Sequence, residues 1–398
     1  MANTKIDRSK LNIKRISITI VGVVVLLIAV LTVIFLKNTN FAKIFKILES
    51  PTNKIQLLFV ALIFTCMVYG FLWQFLTLFI IARNYKIKAK WYEWIIYALV
   101  STLINNVTPF ATGAEPYKVY WLVKNKVKLS DAITIVGATA IYWSIVQITV
   151  TWPSFIYIST KYDLLSQSEN GLIAYWFTFC GMIVDFGIFS FFATAVFSEK
   201  FHLLVFKVVN KLRKLLKLKP LQETDRLDYV NQKQMFIKEF KRVGIVIFMF
   251  LFTASLVLFQ YSSIYMSLKI LNSELANAYH FVEVFNFTNI SVTANNFIPI
   301  PGAEGTIQFT LELYFKSLID KNSLTPELVK YFNSKTMQND INDTIFLWRF
   351  ILFYLPTMIG IIPGIAEIVQ YIKSIRTPTI PPTNSVENNS LNTAVNNQ

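Results

Sequence analysis

The feature that most constrains this chain is a series of eight long apolar runs. Residues 16–36 hold 21 positions without a charge, and further runs follow at 55–82, 91–108, 131–158, 171–196, 243–268, 278–298 and 344–373. About 20 apolar residues in a helix cross the hydrocarbon core of a bilayer. A water-soluble domain has no interior large enough for eight such segments. Composition agrees: 54% of the 398 residues are hydrophobic and 15% are charged, against about 25% charged in a soluble domain. The expected class is an all-α polytopic membrane protein. The run at 16–36 follows Lys5, Arg8, Lys10, Lys14 and Arg15, and it is too long for a signal-peptide core and lacks a small-residue cleavage site. It is therefore read as a retained helix that starts in the cytoplasm.

The net charge of +15 would suit nucleic acid as well as an anionic membrane surface, and its distribution decides between them. Arg83, Lys86, Lys88 and Lys90 precede the run at 91–108, while Lys118, Lys124, Lys126 and Lys128 follow the stretch 109–123. Cytoplasmic loops are enriched in Lys and Arg, so both clusters want the same side. The stretch 109–123 is then expected to return to the face it came from as a half-membrane segment, and 303–319 is read likewise. Broken backbone at that depth is tolerated where protein or a water-filled cavity covers it. One loop, 37–54, carries four Lys on the outer side and runs against this orientation.

The organisation read from this pattern is a basic cytoplasmic tail at 1–15, a first membrane half at 16–196, a basic linker at 197–242, a second half at 243–373 and a disordered tail at 374–398. Eight transmembrane helices and two re-entrant segments in inverted repeats are expected. In the linker, residues 199–242 hold twelve Lys or Arg against five acids, with apolar residues at helical spacing from Phe201 to Leu216. Such a segment lies on anionic headgroups or is an ordinary solvated basic loop. Its Lys-rich part, 207–219, has no interleaved aromatics and no recognition motif, so nucleic acid is not an expected partner.

Comparison of the chain with itself gives one internal repeat. Asn105, Asn106, Pro109, Gly113, Ala114 and Glu115 match Asn295, Asn296, Pro299, Gly302, Ala303 and Glu304 when one residue is inserted, and Pro301 joins the second copy. Each copy ends an apolar helix and opens an amphipathic segment. Pro removes a backbone donor and Gly permits a tight turn, so both copies break a helix at membrane depth. By the charge pattern the two copies meet the membrane in opposite senses, an arrangement from which many transporters build a midplane site.

Ionisable residues in such regions cost about 2.5–3.5 kcal/mol each on insertion scales, and so face a cavity or a partner. Glu115, Lys118, Asp185 and Glu304 are the candidates, with Asn105, Asn106, Asn295, Asn296 and Gln308 as neutral headgroup contacts. Each has an ordinary alternative. Asp185 could be a structural salt bridge with Lys118, the two Glu could cap freed N–H groups, and Asn commonly bonds between membrane helices. His202 and His280 stand alone, Cys66 and Cys180 form neither a disulfide framework nor a metal set, and there is no phosphate-binding loop or catalytic triad. No metal, no cofactor and no catalytic residue set is expected.

The stretch from Asn105 to Lys118, together with Pro299-Ile300-Pro301-Gly302-Ala303-Glu304-Gly305, resembles the flippase-like membrane domain of bacterial lysylphosphatidylglycerol synthases over roughly residues 15–373. Lys118 takes the basic position of that family's first motif. The resemblance implies a multi-pass protein of the bacterial plasma membrane, with both termini cytoplasmic. It would move phospholipids between leaflets, with lysylphosphatidylglycerol or another aminoacylated or anionic lipid as cargo. Neutral residues near Ala138-Thr139 stand where family members often carry a Glu-Arg pair, and Gln308 stands where a Glu is common. No synthase domain follows residue 373, so a separate lipid-modifying synthase is an expected partner. The alternatives are a membrane-embedded lipid-modifying transferase using Glu115 or Glu304 as general base, and a partner subunit that recruits a soluble synthase.

Overall fold

The computed structural model describes residues 39–83, 85, 87–108, 113–163, 169–198, 200, 203–204, 207–208, 210–211, 236–238, 240–296, 298, 300–317, 330–332 and 334–376. Among the described residues the chain is all helical, with no strand. The helices are α1 (Phe41–Glu49), α2 (Lys54–Ala82), α3 (Trp91–Val107), α4 (Ala114–Lys124), α5 (Leu129–Lys161) and α6 (Glu169–Phe197). They continue as α7 (Val243–Ile270), α8 (Phe281–Ala294), α9 (Thr306–Ser317), α10 (Lys335–Arg349) and α11 (Leu355–Arg376). A π-turn, Phe350–Tyr354, joins the last two into one rod. The expected helix at 16–36, the basic tail, most of the linker and the C-terminal tail from residue 377 lie outside the described residues.

Among the described residues, five helices are long and apolar enough to cross a membrane: Lys54–Ala82, Leu129–Lys161, Gly171–Phe191, Val243–Ile270 and Lys335–Gln370. The runs at 91–108 and 278–298, each expected to cross, differ. Their helices have 17 and 14 residues, or about 26 and 21 Å at 1.5 Å per residue, short of a core about 30 Å thick. Each helix stops within a residue of its Asn doublet, where the chain turns back.

Antiparallel packing of α2 on α7 forms one wall. Gln56 Nε2 donates to Ile270 O at 2.6 Å, Tyr69 and Ser255 share a hydroxyl bond of 2.6 Å, and Trp73 Nε1 donates to Thr253 Oγ1 at 3.1 Å. Every such pair places a polar atom against a partner inside an apolar wall, as membrane helices must. Where α6 crosses α8, Gly181 lies so close to the Thr293 carbonyl that a Cβ would overlap it. Any larger residue there would force the two helices apart.

The bundle has two chemically different ends. One gathers Arg83, Lys88, Lys90, Lys124, Lys126 and Lys128, and there Lys124 bridges to Glu367 of α11 at 3.0 Å. The other carries both signs: Lys161 pairs with Glu283 at 2.5 Å, and Asp343 Oδ1 accepts from the Asn40 backbone at 2.9 Å. The last of these contacts seats α1 on α10. Phe41 packs edge-on against Phe346 at 4.9 Å, so Phe41–Glu49 of the Lys-bearing loop form a short amphipathic helix against the bundle.

Candidate functional site

The two repeat copies build two helical hairpins. In the first, α4 folds back along α3: Trp94 meets Trp121 at 4.5 Å between ring centroids, and Tyr97 stacks on Tyr117 at 6.2 Å. Both ends of this hairpin therefore lie at the basic end. In the second, α9 folds back along α8: Tyr279 OH donates to Phe315 O at 2.7 Å, and Phe287 stacks on Tyr314 at 6.2 Å. Both of its ends lie at the mixed-charge end. The hairpins thus enter from opposite ends, and their tips meet. The turn at 301–303 packs on α3, where a Cβ on Gly302 would overlap the Phe353 ring and crowd Asn106 O.

That turn requires left-handed backbone, with φ of 61° at Gly302, 53° at Ala303 and 81° at Gly305. Gly adopts such angles freely and Ala does not, so Ala303 is held there by its surroundings. Glu304 supplies the hold. Its carboxylate takes an ion pair from Arg349, a hydrogen bond from Tyr354 OH at 2.9 Å and one from Gln308 Nε2 at 2.8 Å. Arg349 also donates to Gly302 O at 2.7 Å and lies 3.8 Å over the Phe353 ring, while Gln308 Oε1 accepts from Gly305 N at 2.8 Å. Glu304 and Arg349 are 5% and 6% exposed. A buried charge stripped of its partner is far costlier than an intact pair, so this network fixes the second tip.

The first tip is built from the same residue types and left incomplete. Lys118, 4% exposed, lies 3.5 Å from Glu115 Oε1, its one ion partner among the described residues. Glu115 Oε2 is buried with no hydrogen-bond partner. Asn105 Oδ1 and Tyr117 OH are likewise buried without a partner, while the Tyr97 and Ser101 hydroxyls bond to one another; in the second hairpin Ser291 Oγ and Asn295 Oδ1 are also without a partner. An unsatisfied buried polar group costs about 1–3 kcal/mol. Three together cost about 3–9 kcal/mol, a large part of the stability of a typical fold, about 5–15 kcal/mol.

The remaining sequence candidates fall around these tips. Asp185 accepts twice from Asn296 Nδ2, at 2.8 and 2.9 Å, one helical turn beyond the crossing at Gly181. The expected alternative, a bridge between Asp185 and Lys118, is absent among the described residues. Lys118 faces Glu115 one turn away on its own helix, and Asp185 faces the second tip. Asn106 Nδ2 donates to Thr357 Oγ1 at 2.8 Å and Phe353 O at 3.3 Å, fastening α3 to the rod. Asn295 Nδ2 donates to Ser291 O and Thr310 Oγ1, holding α8 to α9. Gly113 N donates to Thr108 Oγ1 at 3.0 Å, closing the first turn. Pro301 opens the second turn. Pro109 and Pro299 lie outside the described residues, and Ala138 and Thr139 are buried along α5.

Sequence reasoning did not single out Arg349, Tyr354, Tyr97 or Ser101. Arg349 carried a signal, a cation in the interior of the apolar run 344–373, with the next, Lys373, at its very end. Tyr97, Ser101 and Asn105 carried another, polar residues spaced by four on a helix that is otherwise apolar. No cluster of three or more metal-ligating side chains occurs among the described residues.

Residues 19–326 match the lysylphosphatidylglycerol synthase TM region family. An uncharacterised protein of Mycoplasma pneumoniae, the MG306 homolog, is 29% identical over 379 residues, which is 92% of each chain. The uncharacterised protein MG306 of Mycoplasma genitalium is 30% identical over 331 residues, 81% of each. No solved structure matches the chain significantly. With a family match over three quarters of its length and five long apolar helices, this chain is a membrane protein of the lysylphosphatidylglycerol synthase TM region family.

Proposed function

We propose that the chain is a lipid translocator of the bacterial plasma membrane in which the two hairpins are re-entrant, inverted elements that line a polar path for a headgroup while the acyl chains stay in the bilayer. One observation carries this: two helices too short to cross enter from opposite ends of the bundle, fold back, and meet at their tips beside Glu304, Asp185 and Lys118. Inverted broken helices that meet at the midplane give a site reachable from either side in turn. In this reading six helices cross, the five long ones and 16–36, while the two hairpins dip in and return to the side they entered from. The basic end is cytoplasmic under the positive-inside rule, as are both termini.

In this mechanism Lys118 takes a lipid phosphate, while Glu115 and Asp185 meet donors on the headgroup or carry protons. Glu304, neutralised by Arg349, holds the second tip rigid so that the first can move against it. The cargo is an aminoacylated or anionic phospholipid, and a separate synthase is the partner that would supply it. Reconstitution with lipids fluorescent in one acyl chain, read by an impermeant reductant, tests the proposal. Transport should fall at least tenfold when Glu304→Gln and Asp185→Asn are combined; an unchanged rate would remove these two acids from the mechanism.

A further inference from the structure

We infer that the π-turn Phe350–Tyr354 is a hinge between two bodies, the first hairpin with α11 and the second hairpin with α10, and that Tyr354 is the catch that closes it. The inference deepens the translocator reading and rests on it only for the use made of the motion. The sequence itself interrupts the rod here. Pro356 has no N–H, so the carbonyl four residues earlier loses its helical donor and is crowded by the ring. The ladder passes instead through a longer bond, from Leu355 N to Phe350 O five residues back. Such π-turns are rare, often stand at functional sites, and are among the few causes of a sharp bend in a helix.

The contacts of the rod divide at this point. Beyond it, α11 belongs to the first hairpin: a Cβ on Gly360 would overlap Leu99 O and Leu103 of α3, and one on Gly364 would overlap Leu103 again. Asn106 Nδ2 donates to Thr357 Oγ1 at 2.8 Å, and Lys124 Nζ of α4 donates to Glu367 at 3.0 Å and Gln370 at 3.3 Å. Before it, α10 belongs to the second hairpin, through the Arg349 ion pair with Glu304 and the bond from Arg349 to Gly302 O at 2.7 Å. Asp340 Oδ2 also accepts from Ser273 Oγ, just past α7, at 3.0 Å. Tyr354 lies in the hinge and reaches across, its OH donating to Glu304 at 2.9 Å.

In a regular α-helix residues five apart point about 140° away from each other, at 3.6 residues per turn. Arg349 and Tyr354 could not then both face one carboxylate. The five-residue register of the π-turn stacks them, and both hold Glu304. Return to the α register would swing Tyr354 off Glu304 while Arg349 keeps its pair. The α11 helix, with α3 and α4 on it, would turn against α10 by up to about 100°, the rotation of one residue. The first tip would thereby move past a second tip that stays fixed.

The test is the distance between pairs of spin labels in the full chain in lipid nanodiscs, with Cys66 and Cys180 replaced. One pair spans the hinge, at Asn339 and Val369; one lies within each body, at Val123 and Val369 and at Lys316 and Asn339, all exposed positions. The pair across the hinge should show two distances and each of the others one. Tyr354→Phe, which opens the catch, should raise the minor population at least threefold, and so should Pro356→Ala, which restores the missing donor. A single distance for all three pairs in the unaltered chain and in both variants overturns the inference, as do two distances within either body. Lipid movement with a single distance across the hinge would remove the hinge and leave the translocator reading standing. Two distances across the hinge without movement of any lipid would do the reverse.

Discussion

Replacing Arg349 by Leu would strike the contact on which the second hairpin depends. Among the described residues Arg349 is the one cation against the buried carboxylate of Glu304, and it donates to Gly302 O. Tyr354 and Gln308 would still donate to Glu304, but neither carries charge. Breaking a buried ion pair by removing one partner costs about 3–5 kcal/mol, and stranding the Gly302 carbonyl adds about 1 kcal/mol. The expected loss is therefore about 4–6 kcal/mol. Glu304→Gln alone strands the cation instead, at a similar pair cost. Combined, Glu304→Gln and Arg349→Leu leave no uncompensated charge, and the new side-chain amide would keep an oxygen for Tyr354; the pair together should cost less than either change alone. Denaturant unfolding in detergent micelles, run as a double-mutant cycle, reads this coupling directly. Additivity within about 0.5 kcal/mol would show that Glu304 and Arg349 do not act on one another, and the account of the second tip would fail.

Other changes separate the roles of neighbouring residues. Gly302→Ala places a Cβ at φ 61° and into the Phe353 ring, and should destabilise by at least about 1–3 kcal/mol in the same unfolding assay; a neutral result would mean that the turn is free to relax. Asn296→Leu removes the one donor to Asp185 among the described residues and should cost about 1–3 kcal/mol, whereas Asp185→Asn, which removes the charge, should not destabilise. Lys124→Ala breaks a partly exposed bridge and should change stability by under about 1 kcal/mol. Single cysteines at Lys124 and Lys161, in a chain cleared of Cys66 and Cys180, should react with an impermeant reagent from opposite sides of the membrane. Reaction of both from one side would contradict the two-ended arrangement.

Much of this was legible in the sequence because its signals are local. Among the described residues, long apolar runs gave most helices to within a few residues, the last rod starting nine residues before its run, and the Asn, Gly and Glu repeat marked both turns. Two kinds of information were less visible. Continuous apolarity at 91–108 and 278–298 hides the point where a helix stops. That point is set by distant captures, such as Asn106 by Phe353 and Thr357, about 250 residues away. Partner choice is hidden for the same reason. Glu304 and Arg349 are 45 positions apart with no periodic relation, and Asp185 finds Asn296 because Gly181 lets α6 approach α8. Lys118 could have been assigned to Glu115 from spacing alone, since residues three apart on a helix share a face.

The central claim is movement of lipid between leaflets, and the most direct measurement is the fraction of acyl-labelled lipid that an impermeant reductant can reach in sealed proteoliposomes over time. Vesicles without protein should plateau near one half, the outer leaflet alone. Vesicles with the intact chain should continue toward complete bleaching for at least one headgroup, and should slow when Glu304 and Arg349 are both replaced. A plateau near one half with every headgroup, in vesicles shown to hold folded protein, would contradict the claim.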